Sequence, residues 1–274
     1  MASVKREKEL GRMRAERQAV RRAQATAKRK QRNTVVASTA AVVAVAAAVF
    51  VISTRGGDRT DTASSATPPP AAAPSPSTTP DVRPVACGAT EPPAPVTKTF
   101  DAAPPLTIDP AASYVETIDT SCGTIKIALN AAKAPQTVNS FAFLAEQNFF
   151  DGAKFSRTTD AASGFPVLQG GDQEGTGSGG AGYTIPDENL EGAAYPRGTV
   201  AMANTGQPNS GGSQFFLVAG DAQLGPSYTP FGTITEGLDV LDKIIALGND
   251  GSNQAGGGAP KERVYINDLT VAKQ

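Results

Sequence analysis

The sequence predicts a mostly β globular domain in the C-terminal part of the chain, preceded by a membrane-spanning helix and a proline-rich linker. Residues 111–274 contain seven short apolar runs bounded by turn residues but only two stretches with helical spacing. Residues 34–53 carry no charge, and thirteen of the 21 prolines lie between Pro68 and Pro110. Many strands with two helices favour an antiparallel barrel or sandwich whose open ends are covered by the helices.

The composition excludes several kinds of catalytic site. The 274 residues include no histidine and only two cysteines. Histidine-based acid–base catalysis, Ser-His-Asp triads and imidazole metal sites are therefore excluded. Two cysteines are also too few for a thiolate zinc cluster. The sequence predicts neither a metal nor a cofactor.

Residues 1–33 are predicted to form a basic cytoplasmic tail and residues 34–53 a transmembrane helix. Residues 1–32 include twelve Lys or Arg and three Asp or Glu. A helix of the following twenty uncharged residues would extend about 30 Å, the thickness of the hydrocarbon core of a bilayer. The positive-inside rule then places the N-terminus in the cytoplasm. We expect a single-pass cell-membrane protein with an extracytoplasmic domain.

A cleaved signal peptide is the main alternative for this segment. Signal peptides have a short basic region and an apolar core of about 7–15 residues, and both regions are longer here, which favours an uncleaved anchor. A lipoprotein signal at Cys87 is disfavoured because this residue lies far beyond the apolar stretch. The basic tail could bind nucleic acid or anionic lipid, but a topology signal is the favoured interpretation. Since residues 111–274 include nine basic and seventeen acidic groups, no nucleic-acid partner is expected for the domain.

Residues 54–110 are predicted to be a disordered linker rich in Pro, Ala, Ser and Thr. This composition cannot bury a core and favours extended chain. Cys87 lies in the linker and Cys122 in the first hairpin of the domain, both on the oxidising side of the membrane under the predicted topology. A disulfide between them is one interpretation, and two unrelated thiols are the other.

The domain of residues 111–274 begins with a predicted hairpin and continues with further strands bounded by Gly, Asp, Asn or Pro. The predicted strands are Tyr114–Ile118, Thr124–Leu129, Val167–Gln169, Thr199–Met202, Gln214–Val218, Phe231–Ile234 and Val264–Val271.

Two stretches of the domain have helical spacing. The first begins at Pro135, a residue favoured in the first turn of a helix. Its apolar positions are Val138, Phe141, Leu144 and Ala145. The second ends at Gly248, a residue favoured just after a helix. Its apolar positions are Leu238, Leu241, Ile244 and Ile245.

Two loops resemble ligand-binding motifs without meeting their requirements. Gly175–Gly180 satisfies G-x-G-x-x-G, but Pro186 follows where a phosphate-binding helix would run, so a surface loop is predicted. Asp250–Asn253 lacks the spacing and the terminal Glu of a calcium loop, so a turn is predicted.

Three groups of residues form an ordered series of motifs. They are Phe155-Ser-Arg157 with Val167–Asp172, then Gly198–Asn204, then Gly211–Phe216 followed by Phe231-Gly232. In this order and at these separations they resemble the cyclophilin family of peptidyl-prolyl isomerases, from Tyr114 to Val271. The resemblance implies an eight-stranded antiparallel barrel capped by two α-helices, with the active groove on its outside. An anchor followed by a linker is similar to the membrane-bound, extracytoplasmic cyclophilins of Gram-positive bacteria.

The resemblance implies that Arg157 is the catalytic residue and that a substrate groove surrounds it. The implied substrate-binding residues are Phe165, Val167, Gln169, Ala203, Asn204, Gln214, Phe216, Leu224 and Tyr228. Pro166 is an alternative to Phe165. Ser156 and Tyr228 stand where the family commonly has histidines. Gln223 or a neighbour stands where many members carry a tryptophan important for cyclosporin binding, so sensitivity to that drug is not implied.

The implied reaction is rotation about an X-Pro bond, which requires neither a nucleophile nor a general base. The rotational barrier is about 18–20 kcal/mol, and a permanently charged guanidinium can donate to the amide nitrogen as it loses planarity. We expect a monomeric isomerase that acts on proline-containing segments of secreted or cell-wall proteins and assists their folding. The alternatives are a binding module without turnover and a scaffold with a blocked groove.

Overall fold

The computed structural model describes residues 81–274 except 93, 96, 254 and 255. The predicted tail, the predicted transmembrane segment and residues 54–80 of the predicted linker lie outside the described residues. Within the described residues, no helix is both long enough and apolar enough to cross a membrane.

Eight strands form one antiparallel sheet in the described part of the chain. The strands are β1 (Tyr114–Thr120), β2 (Gly123–Leu129), β3 (Arg157–Thr158), β4 (Val167–Gly170), β5 (Thr199–Met202), β6 (Phe215–Val218), β7 (Pro230–Glu236) and β8 (Ile266–Lys273). Their order in the sheet is β3-β4-β6-β5-β7-β2-β1-β8. The apolar pattern predicted every strand except β3, because two residues are too few to show a period.

The sheet curls into a half-barrel, which confirms the number and the antiparallel direction of the strands in the predicted barrel. Its edge strands β3 and β8 do not pair with each other as neighbours. The segment before β3 instead meets the segment that leads into β8: the Phe155 N–H donates to the Val264 carbonyl at 2.9 Å, and the Ile266 N–H donates to the Ala153 carbonyl at 2.8 Å. With only two residues, β3 is too short to form a closing ladder.

Two α-helices pack against the sheet, as predicted. Helix α1 (Pro135–Glu146) packs against β8, and helix α2 (Leu238–Ala246) packs against β2 and β4. The apolar positions predicted for α1 are buried, and those of α2 are buried or packed against the same core. Gly248 follows α2 in a left-handed conformation, with a φ of 70°, and its N–H donates to the Ile245 carbonyl at 3.0 Å.

Strands β4, β5 and β6 separate two apolar clusters. The inner cluster fills the half-barrel, and the Phe141 ring of α1 lies 5.5 Å from Phe215 and 4.6 Å from Phe231 between centroids. The outer cluster lies on the opposite face of these strands. Its buried members are Val167, Tyr195, Ala201, Phe216, Val218 and Ala222.

The described residues of the range 81–110, here called the strap, lie against the domain, although they were predicted to belong to the disordered linker. Val85 forms a parallel bridge with Arg263, and Ala86 is completely buried in the inner cluster. Cys87 forms a disulfide with Cys122 in the turn between β1 and β2. The linker boundary predicted from composition lies too far along the chain, because a few side chains of this proline-rich segment pack against the domain and hold it in place.

Candidate functional site

Arg157 lies on the two-residue strand β3, the first strand in the order of the sheet. It faces Gln169 of β4 in the antiparallel register. Its Nε donates to the Gly256 carbonyl at 3.0 Å, and its guanidinium carbon lies 5.4 Å from the centroid of the Phe165 ring. Partial burial lowers the pKa of the Arg157 guanidinium from its ordinary value, which is high enough that the group stays charged at physiological pH.

Arg157 lines a cavity of about 340 Å³ on the outer face of the sheet, here called the proline pocket after the group that the family resemblance implies it would bind. Nine of the ten implied groove residues surround it. They are Arg157, Phe165, Val167, Gln169, Ala203, Asn204, Phe216, Leu224 and Tyr228. Phe165 lines the pocket and Pro166 does not, so the structure favours Phe165 of these two alternatives.

The floor of the proline pocket is apolar because it is the surface of the outer cluster. Val167 and Phe216 are 4% and 5% exposed. The Tyr228 ring stands nearly perpendicular to the Phe216 ring, with 5.4 Å between their centroids. Among the described residues that line this pocket, Arg157 is the one with a charged side chain.

Gln214, the tenth implied residue, lies beside the proline pocket rather than in it. Its Oε1 accepts a hydrogen bond from Gln169 Nε2 at 3.0 Å. Its own Nε2 donates to the carbonyls of Gly177 at 3.2 Å and Gly179 at 2.8 Å. Gln214 therefore connects the pocket wall to residues 175–182, here called the glycine loop.

The glycine loop is one wall of a second cavity of about 710 Å³. Gln169, Ala203 and Asn204 line both this cavity and the proline pocket, so the two form one continuous groove. The sequence analysis predicted a surface loop at Gly175–Gly180 but did not predict that the loop lines the groove. Its G-x-G-x-x-G pattern carries no signal for this position.

A buried carboxylate holds the first half of the glycine loop. Asp172 is completely buried, and it accepts hydrogen bonds from the backbone N–H groups of Glu174, Thr176, Gly177 and Ser178 and from the Thr176 hydroxyl, at 2.7–3.2 Å. Burial alone would raise the pKa of Asp172, but these donors outweigh it and hold the pKa below its ordinary value. Asp172 thus keeps its charge and fixes the loop.

Tyr195 is a residue of the site that the sequence analysis missed. It is 2% exposed beneath the groove. Its hydroxyl donates to the Tyr228 carbonyl at 2.7 Å and accepts from the Tyr228 N–H at 3.1 Å. These bonds hold the segment that carries Tyr228. Tyr195 lies outside the three motif segments, and no local pattern marks it.

Asn204 joins two sides of the groove. Its Nδ2 donates to the Ser227 carbonyl at 2.7 Å, and its Oδ1 accepts from the Gly206 N–H at 3.0 Å. It thereby holds the end of β5 next to the loop that carries Leu224. Of the positions that depart from the family pattern, Tyr228 lines the proline pocket, Gln223 lines a neighbouring cavity, and Ser156 lines neither.

A family model described as cyclophilin type peptidyl-prolyl cis-trans isomerase/CLD matches residues 114–271, which is more than half of the chain. The chain belongs to the cyclophilin family. The matched residues run from the first residue of β1 into β8 and include every residue that lines the proline pocket.

The relatives of this cyclophilin include mycobacterial proteins. It is 43% identical over 180 residues to the probable peptidyl-prolyl cis-trans isomerase B of Mycobacterium leprae, covering 60% of this chain and 58% of that protein. The protein of the same name from Mycobacterium tuberculosis is 42% identical over 176 residues, covering 60% and 56%. The chain thus spans less than two thirds of the length of these relatives.

A solved structure of another protein matches the cyclophilin domain of this chain, and the match covers almost the whole of that other protein. It is a Cryptosporidium parvum cyclophilin type peptidyl-prolyl cis-trans isomerase determined in the presence of the dipeptide Ala-Pro. The two are 28% identical with a TM-score of 0.51, and the match covers 58% of this chain and 99% of the other. The strap lies before the first residue of the family match.

Proposed function

We propose that this cyclophilin accelerates cis-trans isomerisation of X-Pro bonds, with Arg157 as the catalytic residue. The observation that carries the proposal is the position of the Arg157 guanidinium at the rim of an apolar pocket of about 340 Å³. The mycobacterial relatives are named as isomerases of this kind, and the Cryptosporidium relative was determined in the presence of a proline dipeptide. Both support an X-Pro substrate.

In this proposal the proline ring occupies the apolar pocket. Phe216 and Val167 form its buried floor, and Leu224 lines the same hollow. The pyrrolidine ring is apolar, so transfer from water into this pocket is favourable. Binding of the ring also holds the nitrogen side of the rotating bond in place.

Arg157 acts on the nitrogen of that bond. In the planar amide the nitrogen lone pair is delocalised into the carbonyl, whereas at the top of the barrier it is localised and accepts a hydrogen bond. A guanidinium donor beside the pocket therefore stabilises the twisted state more than either planar isomer, which is the requirement for catalysis. Because the guanidinium stays charged, the rate should change little with pH around neutrality.

The residues next to the proline extend along the groove in this proposal. The second cavity is continuous with the proline pocket through Gln169, Ala203 and Asn204. Its wall offers backbone groups of the glycine loop and side-chain amides, which suit an extended peptide. Longer peptides should consequently bind better than short ones.

The first test compares the full chain, purified in detergent, with its Arg157→Ala and Arg157→Lys variants. Exchange of a short X-Pro peptide is followed by NMR. We expect acceleration by the parent, a loss of kcat/KM of about 100-fold in R157A, the usual size for removing a transition-state donor, and partial recovery in R157K. Arg197→Ala is the matched control, because Arg197 pairs with Asp242 and does not line the pocket.

Two results would reject this assignment. If the parent binds the peptide without accelerating exchange, the domain is a proline-binding module. If R157A and R197A are equally active, Arg157 is not the catalytic residue.

The proposal extends to the location and the clients of the enzyme. The basic residues 1–33, the uncharged residues 34–53 and the proline-rich residues that follow support a single-pass anchor with the domain outside the cell membrane. The disulfide between Cys87 and Cys122 agrees with an oxidising compartment. Secreted and cell-wall proteins with proline-containing segments are then the natural clients.

Protease treatment of intact cells tests this location. We expect an external protease to release the domain while a cytoplasmic marker stays intact. Protection of the domain until the cells are lysed would place it on the inner side and overturn the proposed topology.

A further inference from the structure

The strap reaches the wall of the substrate groove. The Phe100 N–H donates to the Ala181 carbonyl in the glycine loop at 2.9 Å. Two residues earlier, the Lys98 N–H donates to Gln173 Oε1 at 2.7 Å, and Gln173 is buried immediately before the loop. The strap thus binds the segment that leads into the loop as well as the loop itself.

The Phe100 side chain fills the space between helix α1 and the far end of the glycine loop. Its ring centroid lies 4.9 Å from that of Phe143, 6.4 Å from that of Phe149 and 6.5 Å from that of Tyr183. Phe143 belongs to α1, and Tyr183 lines the second cavity directly after the loop. One aromatic ring therefore connects the scaffold to the groove wall.

The backbone of the strap is equally close to the loop. A Cβ atom added to Gly182 would lie 2.7 Å from the Phe100 carbonyl oxygen, and Gly182 has a φ of +90°. Only glycine permits both this conformation and this approach. The second half of the loop is therefore shaped by direct contact with the strap.

The two halves of the glycine loop have different supports. The Asp172 carboxylate accepts hydrogen bonds from the N–H groups of Glu174 and of residues 176–178. It makes no such bond with Ala181, which is held by Phe100. The last part of the cavity wall consequently depends on a segment that precedes the family match.

We propose that Phe100 is a positioning residue of the substrate groove: through Ala181, Gly182 and Tyr183 it sets the wall that contacts the peptide beside the proline. Phe100 does not line the proline pocket, so it affects peptide binding along the second cavity and not the position of Arg157. This inference rests on the proposed function for its link to turnover. Its link to peptide binding can be measured independently.

The test compares two peptides in the full chain: a blocked X-Pro dipeptide, and a hexapeptide with the same X-Pro bond at its centre. In Phe100→Ala, we expect the ratio of kcat/KM for the hexapeptide to that for the dipeptide to fall about fivefold, because a displaced wall misplaces the longer substrate. Phe100→Leu should restore most of this ratio. Backbone hydrogen exchange at Ala181 and Gly182 should be faster in F100A than in the parent.

Asn139→Ala is the matched control. The Asn139 side chain accepts hydrogen bonds from the Thr107 and Ile108 N–H groups and from the Thr107 hydroxyl, so this variant loosens the strap away from the glycine loop. We expect N139A to lower thermal stability but to leave the peptide ratio unchanged. If F100A and N139A change the ratio equally, or F100A leaves it unchanged, Phe100 only stabilises the fold and the inference is overturned.

Peptide affinity separates this inference from the proposed function. If the parent accelerates neither peptide, the isomerase proposal fails, and the dissociation constants of the two peptides are compared instead. A loss of affinity in F100A confined to the hexapeptide supports the positioning role. Equal losses for both peptides, or none, overturn it.

Discussion

Strand β6 has two apolar faces with different roles. Phe215 and Leu217 belong to the inner cluster, whereas Phe216 and Val218 belong to the outer cluster beneath the proline pocket. All four side chains are 5% exposed or less. Burial alone therefore does not distinguish a core residue from a site residue. The difference lies in what covers each face.

The inner face is covered by other large side chains. The Phe215 ring has the Phe141, Phe150 and Phe155 rings at centroid distances of 5.5–6.4 Å. On the outer face, the neighbouring positions on β5 and just after it are Ala201 and Ala203, whose small side chains leave room above Phe216. Three aromatic rings surround Phe215 on the inner face, whereas the small side chain of Ala201 lies opposite Phe216 on β5 and leaves space for a pocket on the outer face.

The largest effects are expected when one large side chain on each face of β6 is replaced by alanine. In Phe215→Ala we expect a loss of about 4 kcal/mol in the free energy of unfolding, because the cavity lies among packed rings. In Phe216→Ala the new space opens into the pocket, so the stability loss should be smaller while kcat/KM falls about tenfold, or about 1.4 kcal/mol. Urea unfolding and the peptide exchange assay measure both. Equal stability losses together with equal activity would break the distinction between the faces.

The next prediction concerns the pH dependence of stability that a buried carboxyl group in the sheet should cause. Glu116 of β1 is completely buried, and its carboxylate oxygens have no hydrogen-bond partner in the described part of the structure. Burial raises the pKa of Glu116 from 4.5 to about 8. Between these values the unfolded chain releases a proton that the folded domain retains, so the free energy of unfolding should fall as the pH rises through this range and level off above about pH 8.

Glu116→Gln should remove this pH dependence, because the amide has nearly the same shape and does not ionise. Urea unfolding at several pH values between 5 and 9 measures the effect. Parallel stability curves for the parent and E116Q would show that Glu116 ionises normally in the folded domain.

Removal of the disulfide should cost about 3 kcal/mol. Cys87 and Cys122 are 35 residues apart in the chain, so the bond restricts a long loop of the unfolded state. The double variant Cys87→Ser/Cys122→Ser should unfold at lower urea than the oxidised parent, and the parent measured with a thiol reductant should behave similarly. The effect lies on the inner side, since Cys87 and Cys122 pack against the inner cluster. Identical urea midpoints for the oxidised parent and the double variant would show that the disulfide does not stabilise the domain.

The smallest effect is expected under the outer face. Tyr195→Phe removes the hydroxyl that both donates to and accepts from the Tyr228 backbone, which should cost about 1 kcal/mol and lower kcat/KM a few-fold. Tyr114→Phe is the matched control: the Tyr114 hydroxyl accepts from the Asp109 N–H at 2.9 Å, and neither residue lines the groove. A similar loss of activity in both variants would remove the link between Tyr195 and the site.

The pattern of apolar residues predicted both helices and seven of the eight strands. Helix α1 shows why: Pro135 starts it and Phe141 and Leu144 fall on one buried face. On β5 and β6 every residue is buried, because both faces of these two strands are covered. Such runs predict a strand without telling which face is the core, so Phe215 and Phe216 could be assigned only by resemblance.

The strap is a segment whose structure the sequence pattern did not predict. Its composition predicted a linker, yet Ala86 is fully buried and Phe100 packs against the inner cluster. Each contact joins residues far apart in the chain, such as Phe100 and Ala181. A local window of sequence contains no information on such a pair.

Short motifs, in which neighbouring residues occupy a single strand or turn, were enough to predict the kinds of group in the groove. These are a permanent cation at Arg157, side-chain amides at Gln169 and Gln214, and an aromatic floor at Phe216. The support of the groove, through Tyr195 under Tyr228 and Phe100 against the glycine loop, is visible only in the folded chain. Such support comes from packing and hydrogen bonds between segments that are distant in the sequence, so no local pattern marks it.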